Sequence, residues 1–516
     1  PIFSPNPSSA SSDLYMIQGI VITSDNKKKI KAERPRGFED LSGEDLLLLE
    51  KITSTIEKTY KFYGFEKLET SIVELSNVIG SFLPDQDRPN EGVFSLEDDD
   101  SRWLSLRYDL TSGLARYVAE NYDALPKPYR RYQSGWVFRN EKPGPGRFRQ
   151  FMQVDADTVG SKNPLADAEM CMMFSDVFEN IGIQRNDYLI RLNNRNLLDA
   201  LLDQLGLNSI NDSDQYLTVM RSIDKLDRLG FSGVTELLGK GRKDKSGDFT
   251  KGAELKTEQI DKIINFLKQG DKSQKTDRKS ALEKLEKDFC DSDKFSEAVI
   301  ELLAISDILD GAGYNEDRVA IDPSVVRGLG YYTGPVYEAD LIFPKNNDLQ
   351  NFGSVGGGGR YDSLVERLKG VKVPATGISI GVSRLMTALK ILDQKVNNKS
   401  DIDVVVLLMN KDDQVYYFNL ASKLRDEGLL ADLYVGDGSM KAQLKYADKR
   451  NAKIALIIGD DEIENNTVTI KDLNKGTELS KDISKNEEWR SSKDTQVNVP
   501  QSEMIKMIKS ILSKSS

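Results

Sequence analysis

Residues 135–158, G-W-V-F-R-N-E-K-P-G-P-G-R-F-R-Q-F-M-Q-V-D-A-D-T, decide the fold of this chain. The segments Gly135–Asn140 and Arg149–Thr158 have the composition of strands. The run Glu141–Gly146 between them contains two prolines and two glycines and must form a loop. The sequence therefore predicts two strands joined by a loop, with arginines on both sides of it.

These arginines are candidate phosphate ligands. Alternation along a strand would place Arg147 and Arg149 on one face, with Arg139 across the hairpin, so that three guanidinium groups could surround one polyphosphate. Taken alone, arginines in a hairpin are more often surface ion pairs. The chain has neither a G-x-x-x-x-G-K-[ST] phosphate loop nor a G-x-G-x-x-G motif after a strand, so a nucleotide would have to be held in another way.

Three further segments concentrate glycine, arginine and tyrosine. Residues 326–334, V-R-G-L-G-Y-Y-T-G, would let a ligand approach the backbone while the phenols supply hydrogen bonds; a Gly-rich turn is the alternative. Residues 353–362, G-S-V-G-G-G-G-R-Y-D, contain four consecutive glycines, which weaken a strand unless a group packs on bare backbone; a flexible loop is the alternative. Residues 377–384, G-I-S-I-G-V-S-R, predict a strand that runs into a helix with Arg384 at its start, where it could stack on a purine ring.

Composition limits the chemistry. The 516 residues, 39% hydrophobic and 30% charged, are ordinary for a globular protein of several domains. The net charge of −11 means that any contact with nucleic acid must be local. The chain contains no histidine, which removes imidazole as general base and as metal ligand. Two cysteines cannot form a disulfide framework or a four-thiolate zinc site, so we expect a reducing compartment and no protein-bound metal.

The N-terminal part predicts a tail and a long helix. Residues 1–30 are rich in Ser, Pro and Asn and predict a flexible tail without a targeting signal. An amphipathic helix is predicted from Ser42, with Asp45 as a weak capping box and Gly64 as its stop, followed by a short apolar run at Ile72.

The remainder divides into an insertion and a small domain. Residues 210–310 are Lys-rich and helix-prone, and Lys240–Asp288 carries 14 basic against 10 acidic residues. That excess fits a patch that meets phosphates, although a solvated helical face explains it equally well. After a polar linker at 396–400, the pattern is that of an α/β unit: strand Ile402–Leu408, helix Val415–Arg425, strand Leu430–Val435, helix Lys441–Lys449, and strands Ile454–Ile458 and Thr467–Leu473.

These segments, in this order, resemble the histidyl-tRNA synthetase family. F-R-x-E at Phe138–Glu141 with R-F-R-Q-F at Arg147–Phe151 resembles class II motif 2, and G-x-S-R at Gly381–Arg384 resembles motif 3. Residues 327–334 and 356–362 resemble two segments peculiar to the histidine enzymes and are the more specific signals. The resemblance covers roughly residues 34–473.

The resemblance implies an α+β architecture. A class II antiparallel sheet flanked by helices would be built from residues 31–209 and 311–395, with 210–310 as a helical insertion domain and 401–516 as an α/β anticodon-binding domain. The helix from Ser42 and the strand near Ile72 would form motif 1 at a homodimer interface. The chain departs from the family pattern at Ser71, where proline is usual, and at Gly330, where an acidic residue is usual.

For ATP, the resemblance implies one role per matching position. Arg139 would bind the α-phosphate and Arg147 the γ-phosphate, Arg384 would stack on adenine, and Glu141 would contact the adenine amino group. Arg139 and Arg327 would be the catalytic residues, because both would face the charge that develops at phosphorus, and Mg²⁺ would accompany the nucleotide.

For the amino acid, the resemblance implies a pocket of carboxylates and phenols. The substrate ammonium would be held by Asp109, Thr111 and Gln153, and the imidazole would be recognised by Asp157, Tyr332 and the neighbouring Tyr331. A site built to hydrogen-bond a polar side chain rejects apolar analogues, since its own polar groups would be left unpaired.

The implied function is that of a cytoplasmic histidine-tRNA ligase. It would activate L-histidine with ATP, release pyrophosphate and transfer histidine to the 3′ end of its tRNA, with no involvement of a membrane. The alternative is a catalytically inactive, synthetase-like histidine sensor, a regulatory subunit of histidine biosynthesis. Such proteins usually lack the anticodon-binding domain and the phosphate-binding arginines, and this sequence has both.

Overall fold

The computed structural model describes residues 31–79, 92–144, 146–207, 213–243, 247–270, 276–289, 291–327, 332–343, 353–391, 402–473 and 495–514. The predicted tail at 1–30, the linker at 396–400, Gly330 and Tyr331 lie outside these residues.

The described residues up to 391 form the larger of two domains. Its strands are β1 (Glu66–Lys67), β2 (Val73–Leu75), β3 (Ser95–Glu97), β4 (Trp103–Leu106), β5 (Tyr129–Phe138), β6 (Gln150–Val159), β7 (Tyr188–Asn194), β8 (Gly241–Lys243), β9 (Phe249–Lys251), β10 (Val319–Ile321), β11 (Pro335–Leu341), β12 (Gly356–Arg360) and β13 (Ala375–Gly381). Its helices are α1 (Glu44–Phe62), α2 (Ser76–Ile79), α3 (Thr111–Asn121), α4 (Pro164–Ile181), α5 (Arg195–Gln204), α6 (Ser213–Ile223), α7 (Leu226–Leu238), α8 (Thr257–Leu267), α9 (Arg278–Phe289), α10 (Asp293–Gly311), α11 (Glu366–Lys369) and α12 (Val382–Ile391).

One mixed sheet organises this domain. Its strand order is β1-β5-β6-β13-β12-β11-β7-β10, and the pairs from β5 to β7 are antiparallel. The predicted hairpin is confirmed as β5 and β6, which pair from Tyr129↔Val159 to Phe138↔Gln150. The Pro- and Gly-containing connection at 139–149 therefore begins directly after β5 and ends directly before β6.

Helix α1 confirms the predicted apolar pattern. Its buried residues include Leu48, Leu49, Ile52, Ile56 and Tyr60, and it packs with α4 against one face of the sheet.

The two ends of α1 test the predicted start and stop signals. The expected capping box at Ser42 and Asp45 is wrong: the residue before the helix is Gly43, with φ +53°, and no side chain caps the end. Ser42 therefore lies one position too early to serve as the cap. Gly64 follows the helix with φ +80°, as a helix stop requires.

The described residues between 213 and 311 are mainly helical, as predicted, with the short β8–β9 hairpin added. Helix α10 packs against α4 and α5. Apolar residues of this segment such as Leu282, Phe295 and Leu302 belong to the same buried cluster as Phe174 of α4. The inserted segment thus shares its core with the sheet domain.

The second domain has the predicted order of elements. Its strands are β14 (Val404–Val406), β15 (Ala431–Leu433), β16 (Ile454–Ile457), β17 (Thr467–Asp472) and β18 (Gln496–Pro500); its helices are α13 (Gln414–Asp426), α14 (Met440–Lys449), α15 (Asp460–Glu464) and α16 (Met504–Lys514). The six predicted elements correspond to β14, α13, β15, α14, β16 and β17, while β18 and α16 were not predicted. The strand order is β15-β14-β16-β17-β18, with apolar clusters of its own. In neither domain do the described residues include a helix with the length and hydropathy of a membrane span.

Candidate active site

The sheet face opposite α1 and α4 carries a band of polar residues. Val154 and Ala156 of β6 belong to the core on the helix side, so the alternate residues of the same strand point to the other face. Directly paired residues share a face, and the registers across β5, β6 and β13 align Arg131 with Asp157 and Gly377, Gln133 with Asp155 and Ser379, and Gly135 with Gln153 and Gly381.

Glycines on this face make room for the candidate site residues. A Cβ atom at Gly377 would lie 1.9 Å from Oδ1 of Asp157, and one at Gly359 would lie 2.8 Å from the Tyr332 ring. A Cβ at Gly357 would lie 2.3 Å from a guanidinium nitrogen of Arg327. The glycine run is therefore a strand, β12, whose bare backbone is required for close packing; the flexible-loop alternative is wrong for Gly356–Arg360.

Asp157 is fixed by two partners. Its Oδ2 lies 2.8 Å from Nη2 of the buried Arg131, and its Oδ1 accepts a hydrogen bond from the Tyr361 hydroxyl. Burial raises the pKa of Asp157, although Arg131 and the Tyr361 hydrogen bond oppose this effect. Sequence reasoning missed Arg131 and Tyr361 as the groups that orient this carboxylate.

Asp155 is a second buried carboxylate of this face that sequence reasoning missed. It is 2% exposed and lies between Gln153 and Asp157 on the same side of β6. Burial and the neighbouring Asp157 raise its pKa to about 7, while Arg131 opposes this rise. The sequence signal for Asp155 was its spacing. Residues two apart in a strand point to the same face, and Asp155 lies two residues from both Gln153 and Asp157.

The predicted ammonium ligands lie around the start of α3 and on β6. Asp109 accepts a hydrogen bond at 2.8 Å from the Ser112 amide, which holds it at the first turn of α3, and Thr111 is the first residue of that helix. Oε1 of Gln153 is buried and makes no hydrogen bond within the described residues. The negative charge of Asp109 contributes to the raised pKa of both Asp155 and Asp157.

Arg139 follows β5 and is positioned by aromatic rings. Its guanidinium lies 4.4 Å from the centroid of the Tyr108 ring and 5.0 Å from that of Phe151. Its Nε donates to the Tyr108 carbonyl at 3.3 Å, and the Tyr108 hydroxyl donates to Glu141 at 3.0 Å. Tyr108 thus connects two of the predicted ATP ligands, Arg139 and Glu141.

The predicted placement of Arg147 and Arg149 on one strand face is wrong. Both precede β6, which begins at Gln150. Arg147 forms an isolated bridge with Gly144 inside the connection and is exposed. Arg149 donates through Nε to the Glu141 carbonyl at 3.0 Å, so its side chain stabilises the loop. The turn at Gly144–Arg147 ends strand pairing before the alternation can apply.

Arg327 lies at the centre of a buried ionic network. Its Nη2 donates to Glu338 at 2.7 Å and to the Ser354 hydroxyl. The opposite oxygen of Glu338 lies 3.1 Å from Arg191, which also contacts Asp340 at 2.7 Å. Burial would raise the pKa of Glu338, but Arg327 and Arg191 outweigh it and lower that pKa to about 2. Arg327 is therefore held by a carboxylate that remains ionised at neutral pH.

Arg384 and Tyr332 connect the arginines with the acidic pocket. Burial and the charges of Arg147 and Arg327 lower the pKa of Arg384. Burial raises the pKa of Tyr332. The positive charge of Arg327 opposes this rise, and the negative charges of Asp155, Asp157 and Asp109 add to it. Gly357 leaves room for Arg327 and Gly359 leaves room for Tyr332, and these glycines align through β13 with Asp155 and Asp157. The structure therefore places Arg327 and Tyr332 beside the carboxylates of β6; the predicted imidazole ligand Tyr331 lies outside the described residues.

Two family models divide the chain between them. Residues 37–385 match the model described as histidyl-tRNA synthetase, and residues 403–511 match the model described as anticodon binding domain. The combination defines an aminoacyl-tRNA synthetase whose catalytic sheet is followed by an anticodon-binding domain.

Full-length relatives agree with both models. The chain is 54% identical over 493 residues to a histidine-tRNA ligase of Brucella ovis and 51% identical over 498 residues to one of Mesorhizobium japonicum; each comparison covers 95% of this chain and 97% of the relative. The solved histidyl-tRNA synthetase of Nostoc sp. PCC 7120 superposes with a TM-score of 0.70 at 29% identity, covering 93% of this chain and 100% of that one. The chain belongs to the histidyl-tRNA synthetase family.

Proposed function

We propose that this chain is a histidine-tRNA ligase that forms histidyl-adenylate from L-histidine and ATP and then acylates the 3′ end of the histidine tRNA. One observation carries the proposal: Arg327 packs over Gly357 and Tyr332 packs over Gly359, and these two glycines of β12 are in register, through β13, with Asp155 and Asp157 of β6. Arginine groups suited to a triphosphate thus adjoin carboxylates and a phenol suited to a cationic, imidazole-bearing amino acid.

We assign each ATP contact to one residue. Arg139 binds the α-phosphate, with its guanidinium held near the rings of Tyr108 and Phe151. Arg147, exposed on the loop, binds the γ-phosphate. Arg384 stacks on adenine, and Glu141 contacts the adenine amino group.

The amino acid occupies the polar face of β6. Asp109, Thr111 and Gln153 hold the ammonium group, and the unsatisfied Oε1 of Gln153 is an acceptor for one of its protons. Asp157 and Tyr332, with Tyr331, recognise the imidazole. Arg131 and Tyr361 hold Asp157 in a fixed orientation, so the pocket is organised before the substrate binds.

Activation requires no protein base. A carboxylate oxygen of histidine attacks the α-phosphorus, a new P–O bond forms, and the bond to the leaving pyrophosphate breaks. The nucleophile is already an anion, so a chain without histidine can catalyse the step. Arg139 and Arg327 stabilise the charge that develops at phosphorus, and Arg147 stabilises pyrophosphate.

Mg²⁺ accompanies ATP in this proposal. The described residues contain no group of three or more side chains able to hold a metal ion, and Glu338, the acidic residue beside Arg327, is engaged by two arginines. No step of the reaction is assigned to the ion.

A homodimer is supported by an apolar sheet face. Strands β2, β4 and β3 form a three-stranded sheet in which Val73, Leu75 and Leu96 share one face. These side chains are 37%, 39% and 48% exposed. An exposed apolar face marks an interaction surface. Ser71, in place of the usual proline, shapes the entry to β2 by donating to the Val73 carbonyl at 2.6 Å.

The regulatory-subunit alternative is not supported. The anticodon-binding match spans residues 403–511, and Arg139, Arg327 and Arg384 are all retained in the site. The second domain also presents the loop 436–439 before α14, and Lys441, Lys445 and Lys449 lie on that helix. We propose that this surface binds the tRNA. We also propose that the enzyme is cytoplasmic.

The test is ATP/pyrophosphate exchange. Purified chain should incorporate labelled pyrophosphate into ATP when L-histidine is supplied and not with any other amino acid, and should then charge histidine tRNA. Absence of histidine-dependent exchange in a folded preparation would contradict the proposal.

A further inference from the structure

Asp155 has the position of a substrate ligand. It lies on the polar face of β6, between Gln153, proposed to bind the ammonium group, and Asp157, proposed to bind the imidazole. It raises the pKa of Tyr332 together with Asp157 and Asp109, so it lies within electrostatic range of three proposed histidine ligands. No role for it follows from the motifs of the sequence.

The hydrogen-bonding capacity of Asp155 is incompletely used. The residue is 2% exposed, and the hydroxyl of Ser379, its partner across β13, is a nearby donor that lowers its pKa. Its Oδ1 nevertheless makes no hydrogen bond within the described residues. The same is true of the buried Oε1 of Gln153, the next residue on this face. Buried polar atoms are rarely left without partners. Two buried acceptors on the same face of β6 are therefore available to a ligand.

The surrounding charges favour binding of a cation. Asp109, Asp155 and Asp157 interact with one another, and the buried Arg131 is the arginine that acts on both β6 carboxylates. Among the described residues, the phenols of Tyr60, from α1, and of Tyr332 also interact with Asp155. Burying carboxylates without enough positive charge is unfavourable, and a bound cation would relieve this imbalance.

We propose that Asp155 is a specificity-determining ligand that accepts a hydrogen bond from the α-ammonium group of the bound amino acid. An ammonium group has three N–H donors and no acceptor, and Gln153, Asp155 and Asp109 supply acceptors only. A neutral imidazole ring offers one donor and one acceptor, which suits Asp157 with its phenolic neighbours better. The raised pKa of Asp155 is consistent with this role, because binding of a cation favours the charged carboxylate.

The test compares Asp155→Asn with the unmodified enzyme in pyrophosphate exchange. The substitution keeps the shape and removes the charge. We expect the KM for histidine to rise roughly 10- to 100-fold, the effect of losing a hydrogen bond to a charged group, with kcat and the KM for ATP changed less than about twofold. Asp176→Asn is the matched control, since Asp176 accepts hydrogen bonds from Tyr63 and Tyr314, each at 2.7 Å, on the helix side of the sheet; its KM for histidine should not change.

A ring analogue separates an ammonium contact from an imidazole contact. Triazolylalanine has the same ammonium group as histidine and a less basic ring. Asp155→Asn should therefore weaken the binding of both amino acids by the same factor, whether triazolylalanine acts as substrate or as competitive inhibitor. Asp157→Asn should change the ratio of the two affinities.

Three results for Asp155→Asn would overturn the assignment. The KM for histidine could stay unchanged, the selectivity between histidine and triazolylalanine could change by about tenfold or more, or the KM for ATP could rise as much as the KM for histidine. The inference rests on the proposed function, and the two fail separately. An unmodified enzyme without histidine-dependent exchange would refute the function, whereas a normal enzyme with an unaffected Asp155→Asn variant would refute only the inference.

Discussion

Replacing Glu338 by glutamine should destabilise the fold and impair catalysis together. Glu338 is buried between Arg327, at 2.7 Å, and Arg191, at 3.1 Å. Its pKa is lowered from 4.5 to about 2, and a shift of that size corresponds to about 3 kcal/mol of stability above the ordinary pKa of the carboxyl group. Glutamine keeps the volume and removes the charge that orients Arg327, so kcat should also fall.

The pH dependence follows from the sign of this shift. A carboxylate with a lowered pKa contributes its full stability above its unfolded-state value and loses it as the pH falls. The contribution of Glu338 should therefore be complete above about pH 5 and disappear as the pH falls from 4.5 towards 2.

Urea unfolding at pH 7, with exchange kinetics on the same preparations, measures both effects. Glu301→Gln is the matched control: burial and Asp167 raise the pKa of Glu301, and its hydrogen bond from Asn194, at 2.7 Å, can be kept by glutamine. We expect little or no loss of stability in the control. If Glu338→Gln unfolds within about 0.5 kcal/mol of the unmodified chain and keeps its kcat, the reasoning about this network is wrong.

Three further substitutions test separate parts of the account. Arg327→Ala should slow exchange by roughly 100- to 1,000-fold while the chain stays folded by circular dichroism, and near-normal exchange would remove Arg327 from the mechanism. Gly377→Ala should raise the KM for histidine at least about tenfold, because its Cβ would meet Oδ1 of Asp157; titration calorimetry with histidine would show unchanged affinity if the packing argument fails. Leu96→Glu should convert a dimer into monomers in sedimentation analysis, since it places a charge on the exposed apolar face; an unchanged assembly would move the interface elsewhere.

Local patterns explain why much of the fold was predictable. The hairpin of β5 and β6 and the order from β14 to β17 follow from strand composition and helical periodicity in contiguous segments. The capping box at Ser42 failed because a single residue before the helix, Gly43, adopts a left-handed backbone conformation. End signals of this kind depend on one residue and are easily displaced.

Motifs allowed candidate site residues to be proposed, but they did not show which side chains meet across the sequence. Arg327, Arg384 and Asp157 were proposed from their motifs, and their roles stay predictions. Their partners were not, because Arg131 meets Asp157 through the register of two strands, and Arg191 approaches Glu338 only when β7 pairs with β11. Asp155 was missed for a different reason: strand alternation indicated its face, but no motif assigned it a role.

The central claim is that one cavity holds a triphosphate among arginines and a histidine among carboxylates and phenols. A crystal structure of the chain with ATP and histidinol, which has the ring and the amine but no carboxylate to attack, tests it most directly. We predict that the phosphates contact Arg139, Arg147 and Arg327, and that the amine lies beside Gln153 with the ring at Asp157 and Tyr332. A nucleotide bound away from this sheet face, or a histidinol molecule that does not reach β6, would contradict the account.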